Sequence, residues 1–166
     1  MRWSLRDQNL KLMGTFTKLT YHVVFGTRFR RPTIDPSFQE TLYEYIGGII
    51  RDRKGCLIQA GGVADHVHLL ARLSPAMAVS DVLRDIKAGS SKWIGEMEFL
   101  PHQFEWQTGY GAFTVSYSLT EAVADYIRNQ KEHHRVKSFQ EEYMEFLKRH
   151  NINFEMAHLF EGENHG

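Results

Sequence analysis

Hydrophobic and polar residues alternate along this chain with two different periods, and each period predicts one type of element. Segments that alternate with a period of two, or that are rich in β-branched and aromatic residues, predict strands; these are residues 19–27, 57–63, 66–73 and 112–116. Segments with hydrophobic residues on one face at helical spacing predict helices; these begin near residues 36, 79, 118 and 138.

Short polar signals support these helix starts. Asp35 precedes Pro36, a pair that suits the cap and the first position of a helix. Residues 118–121, Ser-Leu-Thr-Glu, have the form of a capping box, and residues 138–141, Ser-Phe-Gln-Glu, open the last helix. The helix opened at residue 118 is expected to continue to about residue 133.

The resulting order is β-α-β-β-α-β followed by two helices. This order predicts an α+β fold of the ferredoxin-like (RRM-like) split βαβ type, with an antiparallel sheet, helices on one face and additional C-terminal helices. We expect residues 19–154 to form a single domain, residues 1–18 to be an N-terminal arm and residues 155–166 to be a polar tail. A length of 166 residues suits one domain.

Composition adds little to the functional picture. The 20 basic and 20 acidic residues balance, so no overall charge indicates a nucleic-acid partner, although a local positive patch would suffice for one. The single cysteine, Cys56, excludes an intramolecular disulfide and favours a cytoplasmic location; we expect it to be buried. No segment has the roughly 20 apolar residues of a membrane span, so no membrane partner is expected.

The histidines at positions 66 and 68 carry the first chemical signal. Side chains in a strand alternate between faces, so His66 and His68 project from the same face and can share one metal ion. The alternate residues, from Val67 to Leu73, form an apolar face for the helices, which leaves the histidine face open. Asp65 is a possible carboxylate partner of the pair. Alone, such a pair is more often structural than metal-binding.

Tyr126 and Gln130 carry the second signal. Their i, i+4 spacing in a predicted helix places them on one face, away from the apolar stripe that includes Val123 and Ile127. Two imidazoles and the amide of Gln130 make a mixed set suited to Mn²⁺ or Mg²⁺. A tyrosine acting as a nucleophile needs nearby positive charge or a base, because its ordinary pKa is about 10.

These motifs together resemble those of the HUH single-strand nuclease superfamily, and the wider pattern resembles the IS200/IS605-type tyrosine (Y1) transposases. The shared segments run in family order over about residues 19–135; they are residues 21–32, 62–70, 87–93, 106–110 and 126–130. No motif position departs from the family pattern, although the N-terminal arm is longer than the resemblance leads us to expect.

The resemblance implies an enzyme of DNA transposition. By it, Tyr126 would cleave single-stranded DNA, forming a 5′-phosphotyrosine link and releasing a 3′-hydroxyl. His66, His68 and Gln130 would hold one divalent metal, Mg²⁺ or Mn²⁺. No nucleotide cofactor is implied, which agrees with the absence of a P-loop pattern. The expected partners are DNA with hairpin ends and a second copy of the chain, a homodimer in which active sites can be completed in trans.

Several basic and aromatic residues are predicted to contact this DNA. Phosphate contacts are expected from five cationic residues: Arg28, Arg30, Arg31, Lys87 and Lys92. Stacking on unpaired bases is expected from aromatic residues that could equally belong to the core: Trp106, Tyr110 and Phe113.

Three other functions remain open from the sequence. A domesticated relative would nick repeated hairpins without mobilising an element. A non-catalytic RRM-like nucleic-acid-binding module would present aromatic residues on the open face of its sheet. A hydrolase that activates water at the metal would leave Tyr126 dispensable.

Overall fold

The computed structural model describes residues 14–154 and contains one four-stranded antiparallel sheet with the strand order β2-β3-β1-β4. The strands are β1 (Leu19–Gly26), β2 (Cys56–Val63), β3 (His66–Leu73) and β4 (Gly111–Thr114). The helices are α1 (Pro36–Asp52), α2 (Val79–Glu96), α3 (Thr120–Arg128), α4 (Gln130–His133) and α5 (Phe139–Arg149). This arrangement confirms the predicted ferredoxin-like α+β class. Most of the predicted arm and all of the predicted tail lie outside the described residues.

Helices α1 and α2 cover one face of the sheet and enclose the larger core. Inward residues of β1 and β3 alternate as predicted, with Phe25 and Leu69 among those in contact with the helices. The Asp35 carboxylate accepts a hydrogen bond of 2.8 Å from the Ser37 amide and so caps α1. No helix within residues 14–154 is long and apolar enough to cross a membrane.

The C-terminal helices cover the second face of the sheet, which the sequence left open. Leu70 on this face packs against Ala124 and Ile127 of α3. Val24 and Phe113 pack against α5. The expectation of an open histidine face is therefore wrong, because the additional helices bury hydrophobic residues that lie beside the histidines.

Three local expectations are also wrong. The Ser-Leu-Thr-Glu sequence at residues 118–121 forms no capping box, because the 3₁₀ turn Tyr117–Leu119 precedes α3 and no side chain caps the helix. Helix α3 ends at Arg128, and Asn129 separates it from α4 with non-helical backbone angles. The Ser138–Glu141 box that opens α5 is formed. Cys56, expected to be buried, is exposed at the start of edge strand β2.

Candidate active site

The two histidines of β3 are fully buried, and each is oriented by a polar neighbour. The Nδ1 atom of His66 lies 2.7 Å from Oδ1 of Asp65, which occupies the turn between β2 and β3. The Nδ1 atom of His68 lies 2.9 Å from Nε2 of His22 on β1. Because both Nδ1 atoms are engaged, the Nε2 atoms are the ones available to bind an ion.

Two further side chains converge on these Nε2 atoms. Glu142 of α5 places its carboxylate oxygens 3.8 Å from Nε2 of His66 and 3.5 Å from Nε2 of His68. His134, which follows α4, places its Nε2 atom 2.8 Å from Oε2 of Glu142. One nitrogen or oxygen from each of the four residues lies within 4.8 Å of all the others. We call these four residues the histidine–glutamate cluster.

Several atoms of this cluster have no hydrogen-bond partner within the described part of the chain. They are Nε2 of His66, Nε2 of His68 and Oε2 of Glu142, all buried; the close His134 nitrogen is not aligned for a hydrogen bond with Glu142. Buried polar atoms without partners cost free energy, and a divalent cation at their centre would satisfy all of them. Imidazole and carboxylate are also the donors that such cations bind, so the residues fit a metal ion.

Lowered pKa values keep two histidines of the cluster, His68 and His134, neutral near pH 7, which favours metal binding. Burial, followed by the charge of His66, lowers the pKa of His68 well below its usual value. Burial lowers the pKa of His134 to about 4 and that of His22 to about 3. Burial raises the pKa of Glu142 to about 7, although His66 opposes the rise. Neutral imidazoles retain the lone pair that a metal requires.

Tyr126 lies beside the cluster in the same chain. Its ring centroid is 5.9 Å from that of His68, 6.2 Å from that of His22 and 4.7 Å from that of His133. Tyr126 also lines a cleft of about 510 Å³ that reaches Glu142. The structure therefore brings the predicted nucleophile and the predicted metal-binding histidines together within one protomer.

Close packing of α3 on β2 fixes the position of this tyrosine. A Cβ atom at Gly61 would lie 2.1 Å from the backbone oxygen of Ile127, the residue after Tyr126. Only glycine allows the helix to approach the strand so closely.

Gln130, the predicted third ligand, is buried behind the cluster. Its Oε1 atom lies 3.0 Å from Nε2 of His134, and its amide nitrogen donates to Oε1 of Glu142 over 3.3 Å. The same nitrogen lies 3.5 Å from the backbone oxygen of Tyr126. Gln130 therefore contacts two members of the cluster and braces the tyrosine helix.

Sequence reasoning missed three residues of this site: His22, His134 and Glu142. For two of these residues, His134 and Glu142, the position in the sequence could have indicated a role in the site. His134 lies four residues after Gln130, at the spacing that shares a helical face. Glu142 lies three residues after Phe139, inside the apolar stripe of α5 where a carboxylate is unusual.

The predicted phosphate-binding residues differ in the hydrogen bonds and ion pairs that they make within the protein. Lys87 donates hydrogen bonds to the backbone oxygens of residues 107 and 109, and burial lowers its pKa. Arg28 pairs with Glu105 at 2.7 Å, and Arg30 pairs with Asp65 at 3.3 Å. Lys92 is largely exposed and lies 3.6 Å from Glu96. Lys87 thus holds a loop together, and its contact with a DNA phosphate stays a prediction.

The predicted stacking residues are mainly core residues. Trp106 is buried against Phe25 and donates a 2.9 Å hydrogen bond to Oγ of Ser90. Phe113 is buried, and Tyr110 is half-buried against the main core. Neighbouring side chains cover the rings of Trp106 and Phe113, so both residues contribute to the core, and their stacking on bases stays a prediction.

Phe29 is an exposed aromatic residue that the sequence did not single out. Its side chain is 45% exposed, and the guanidinium carbons of Arg28 and Arg31 lie 5.0 Å and 5.5 Å from its ring centroid. Phe29 and Arg30 both have positive φ angles, 55° and 54°. Non-glycine residues rarely adopt this conformation, and it costs of order 1–3 kcal/mol where it occurs.

Most of the domain also resembles known proteins. Residues 15–130 match the sequence profile of the family described as "Transposase IS200 like". The transposases for insertion sequence element IS200 of Salmonella typhimurium and Salmonella typhi are each 32% identical to this chain over 123 residues, covering 68% of this chain and 76% of each relative.

Solved structures share the fold. A protein from Deinococcus radiodurans R1 described as a transposase superposes with a TM-score of 0.57 at 24% identity, covering 70% of this chain and 94% of the other. A REP-associated tyrosine transposase bound to a REP hairpin gives a TM-score of 0.53 at 20% identity, covering 70% and 68%. The family match and the Salmonella relatives together show that this chain is a member of the IS200-like transposase family, whose members are enzymes of DNA transposition.

Proposed function

We propose that this transposase cleaves and rejoins single-stranded DNA through a covalent 5′-phosphotyrosine intermediate on Tyr126. The observation that carries the proposal is the placement of the Tyr126 ring 5.9 Å from the ring of His68, in a cleft that reaches the histidine–glutamate cluster. We further propose DNA with hairpin ends as the substrate, since one structural neighbour is bound to a REP hairpin.

The proposed reaction is a transesterification. The Tyr126 oxygen attacks the scissile phosphorus, the bond between phosphorus and the 3′ oxygen breaks, and the strand leaves with a 3′-hydroxyl. The phenolic proton passes to the departing oxygen, and the neighbouring imidazole of His133 can relay it. Attack by another 3′-hydroxyl on the phosphotyrosine reverses the bond changes, so no nucleotide cofactor is needed.

The buried histidines serve this reaction by holding a divalent ion, Mg²⁺ or Mn²⁺ in the prediction from the sequence. When bound, such an ion supplies Lewis-acid stabilisation of charge on the phosphoryl oxygens. His66 and His68 are oriented for binding by Asp65 and His22. Gln130, the third ligand in the prediction from the sequence, lies next to this site and contacts His134 and Glu142.

We propose that DNA contacts extend to the exposed turn that contains Phe29. The Phe29 ring offers a stacking surface for an unpaired base, and Arg28 and Arg31 lie beside it to contact phosphates. In this proposal Phe29 takes the stacking role that the sequence assigned to Trp106. The exposed Lys92 stays a predicted phosphate contact.

We also propose a homodimer, as the resemblance implies. Tyr126 lies beside the histidines of its own chain, which favours active sites completed in cis. Mixing Tyr126→Phe protein with His66→Ala protein tests this arrangement. Cis sites predict that the mixture stays inactive, whereas recovery of activity would show that the tyrosine acts in the partner's site.

The covalent mechanism is tested with labelled single-stranded DNA from the regions that flank the protein's own gene, incubated with Mn²⁺. Wild type and the control Tyr117→Phe, which alters an exposed tyrosine before α3, should form a protein–DNA adduct that resists denaturation. Tyr126→Phe should form none while retaining DNA binding. Cleavage by Tyr126→Phe at the wild-type rate would instead indicate an activated-water hydrolase. Wild-type binding without cleavage would indicate a non-catalytic module.

A further inference from the structure

We infer that His134 and Glu142 complete the metal site, giving a centre of three imidazoles and one carboxylate that is built entirely within one chain. Both residues lie after the segment, residues 15–130, that matches the transposase family. The inference rests on the proposed function for what the ion does, although binding of the ion is measured separately from cleavage.

The first support is the geometry of the donor atoms. The Glu142 carboxylate lies between the other three members, with its oxygens 3.8 Å, 3.5 Å and 2.8 Å from the nearest nitrogens of His66, His68 and His134. All four donors lie within 4.8 Å of one another, so small side-chain movements bring them around one ion. The sequence alone offered only two of these four residues.

The second support is the cost of burying this carboxylate. Glu142 is 4% exposed, in a helix whose inward residues Phe139, Tyr143 and Leu147 are apolar. An ionised carboxylate in such a setting needs a compensating charge, and its Oε2 atom has no aligned hydrogen bond within the described residues. A divalent cation at the cluster would supply this charge, and imidazole and carboxylate groups are donors that bind such an ion.

Gln130 takes a different role in this centre from the one that the sequence predicted. It contacts His134 through its oxygen and Glu142 through its nitrogen, so it braces both from behind. Asp65 and His22 orient His66 and His68 through their Nδ1 atoms, as is usual for metal ligands. The Gln130 oxygen instead contacts Nε2 of His134, so binding of an ion at this nitrogen would displace that oxygen.

The donor set also decides which ions bind well. Imidazole suits transition-metal ions, whereas Mg²⁺ prefers oxygen ligands and retains its waters. A site with three imidazoles should therefore bind Mn²⁺, Co²⁺ or Zn²⁺ much more tightly than Mg²⁺. This preference refines the sequence prediction, which treated Mg²⁺ and Mn²⁺ alike.

The inference is tested by titrating the metal-stripped full chain with Co²⁺ and recording its visible absorption. We expect one ion per chain and an affinity at least about tenfold lower in Glu142→Gln and in His134→Gln. Matched controls are Glu145→Gln, one turn further along α5, and His133→Gln, the adjacent histidine; both should bind as wild type does. Wild-type affinity in Glu142→Gln and His134→Gln would overturn the inference.

X-ray absorption of the Co²⁺-loaded wild-type protein provides a second measurement that does not depend on folding of the variants. Three imidazole ligands are expected, and two would exclude His134. Tyr126→Phe should bind Co²⁺ as wild type does. If the wild-type protein binds Co²⁺ normally but forms no adduct with its cognate DNA, the proposed function is contradicted and this inference is not. If the wild-type protein forms the adduct but the Glu142 and His134 variants bind Co²⁺ as tightly as wild type, this inference is contradicted and the proposed function is not.

Discussion

Nε2 of His22 lies 2.9 Å from Nδ1 of His68, which links strand β1 to a metal-binding side chain on β3. The two strands are antiparallel neighbours, and His22 is paired with Leu70, two residues from His68. Both histidines therefore point from the same face of the sheet. Nε2 of His68 must be unprotonated to bind an ion. The Nδ1 atom of His68 then carries the ring proton and donates a hydrogen bond to Nε2 of His22.

Replacing His22 should weaken metal binding without removing a ligand. We expect His22→Leu to lower Co²⁺ affinity about 10- to 100-fold, because His68 loses the acceptor that fixes its tautomer. His22→Gln retains an acceptor at a similar distance along the side chain and should restore much of the affinity. If titration gives the Leu and Gln variants equal affinity for Co²⁺, the His22 side chain contributes packing to His68 and no functional hydrogen bond.

Adding one methyl group at Gly61 should displace the tyrosine helix. A Cβ atom there would meet the Ile127 backbone oxygen at 2.1 Å, so Gly61→Ala must push α3 away from β2. We expect adduct formation to fall and unfolding free energy to drop by about 1–3 kcal/mol.

Gly48→Ala in α1 is the matched control for Gly61→Ala. Nothing lies within 4 Å of a Cβ atom at Gly48, so this change should raise the unfolding free energy by about 0.5–1 kcal/mol and leave adduct formation unchanged. Denaturant unfolding and the adduct assay check both variants. Full activity and stability in Gly61→Ala would contradict the close packing.

Phe29 and Trp106 should respond to mutation in opposite ways. Phe29→Ala should weaken binding of single-stranded DNA by roughly 1–3 kcal/mol per lost stacked base and leave stability near that of wild type. Trp106→Ala removes a buried side chain and should cost about 3–5 kcal/mol of unfolding free energy. Fluorescence anisotropy and denaturant unfolding separate the two effects. Undiminished DNA binding by Phe29→Ala would remove Phe29 from the interface.

The metal-free protein should lose stability as its buried carboxylate ionises. The pKa of Glu142 is raised from 4.5 to about 7, so between these values the folded state holds a proton that the unfolded state has released. The contribution of this bound proton to the unfolding free energy is complete below pH 4.5 and is lost as pH rises through about 7.

Comparison with Glu142→Gln isolates this effect, because the lowered histidine pKa values, which act in the opposite direction, are largely shared by both proteins. With chelator present, the stability of wild type relative to Glu142→Gln should fall by on the order of 3 kcal/mol from pH 4.5 to above pH 7. The unfolding free energies of both proteins are measured by chemical denaturation. If their difference does not change with pH, the raised pKa of Glu142 is contradicted.

The sequence by itself determined the sheet, its two covering helices and the positions of His66, His68 and Tyr126. These features depend on local periodicity, since strand alternation fixes which histidines share a face and apolar stripes fix which helix faces turn inward. The resemblance to tyrosine transposases added the chemistry, and the family is confirmed.

Only the tertiary structure decided what covers the histidine face. His22, His134 and Glu142 come from β1, the segment after α4, and α5, and no spacing along the chain records that these elements meet at β3. For the same reason the sequence could not predict that Trp106 is buried and Phe29 exposed, because burial depends on which distant residues pack against a ring. Local periodicity sets the direction of a side chain within its element, whereas long-range packing sets what it meets there.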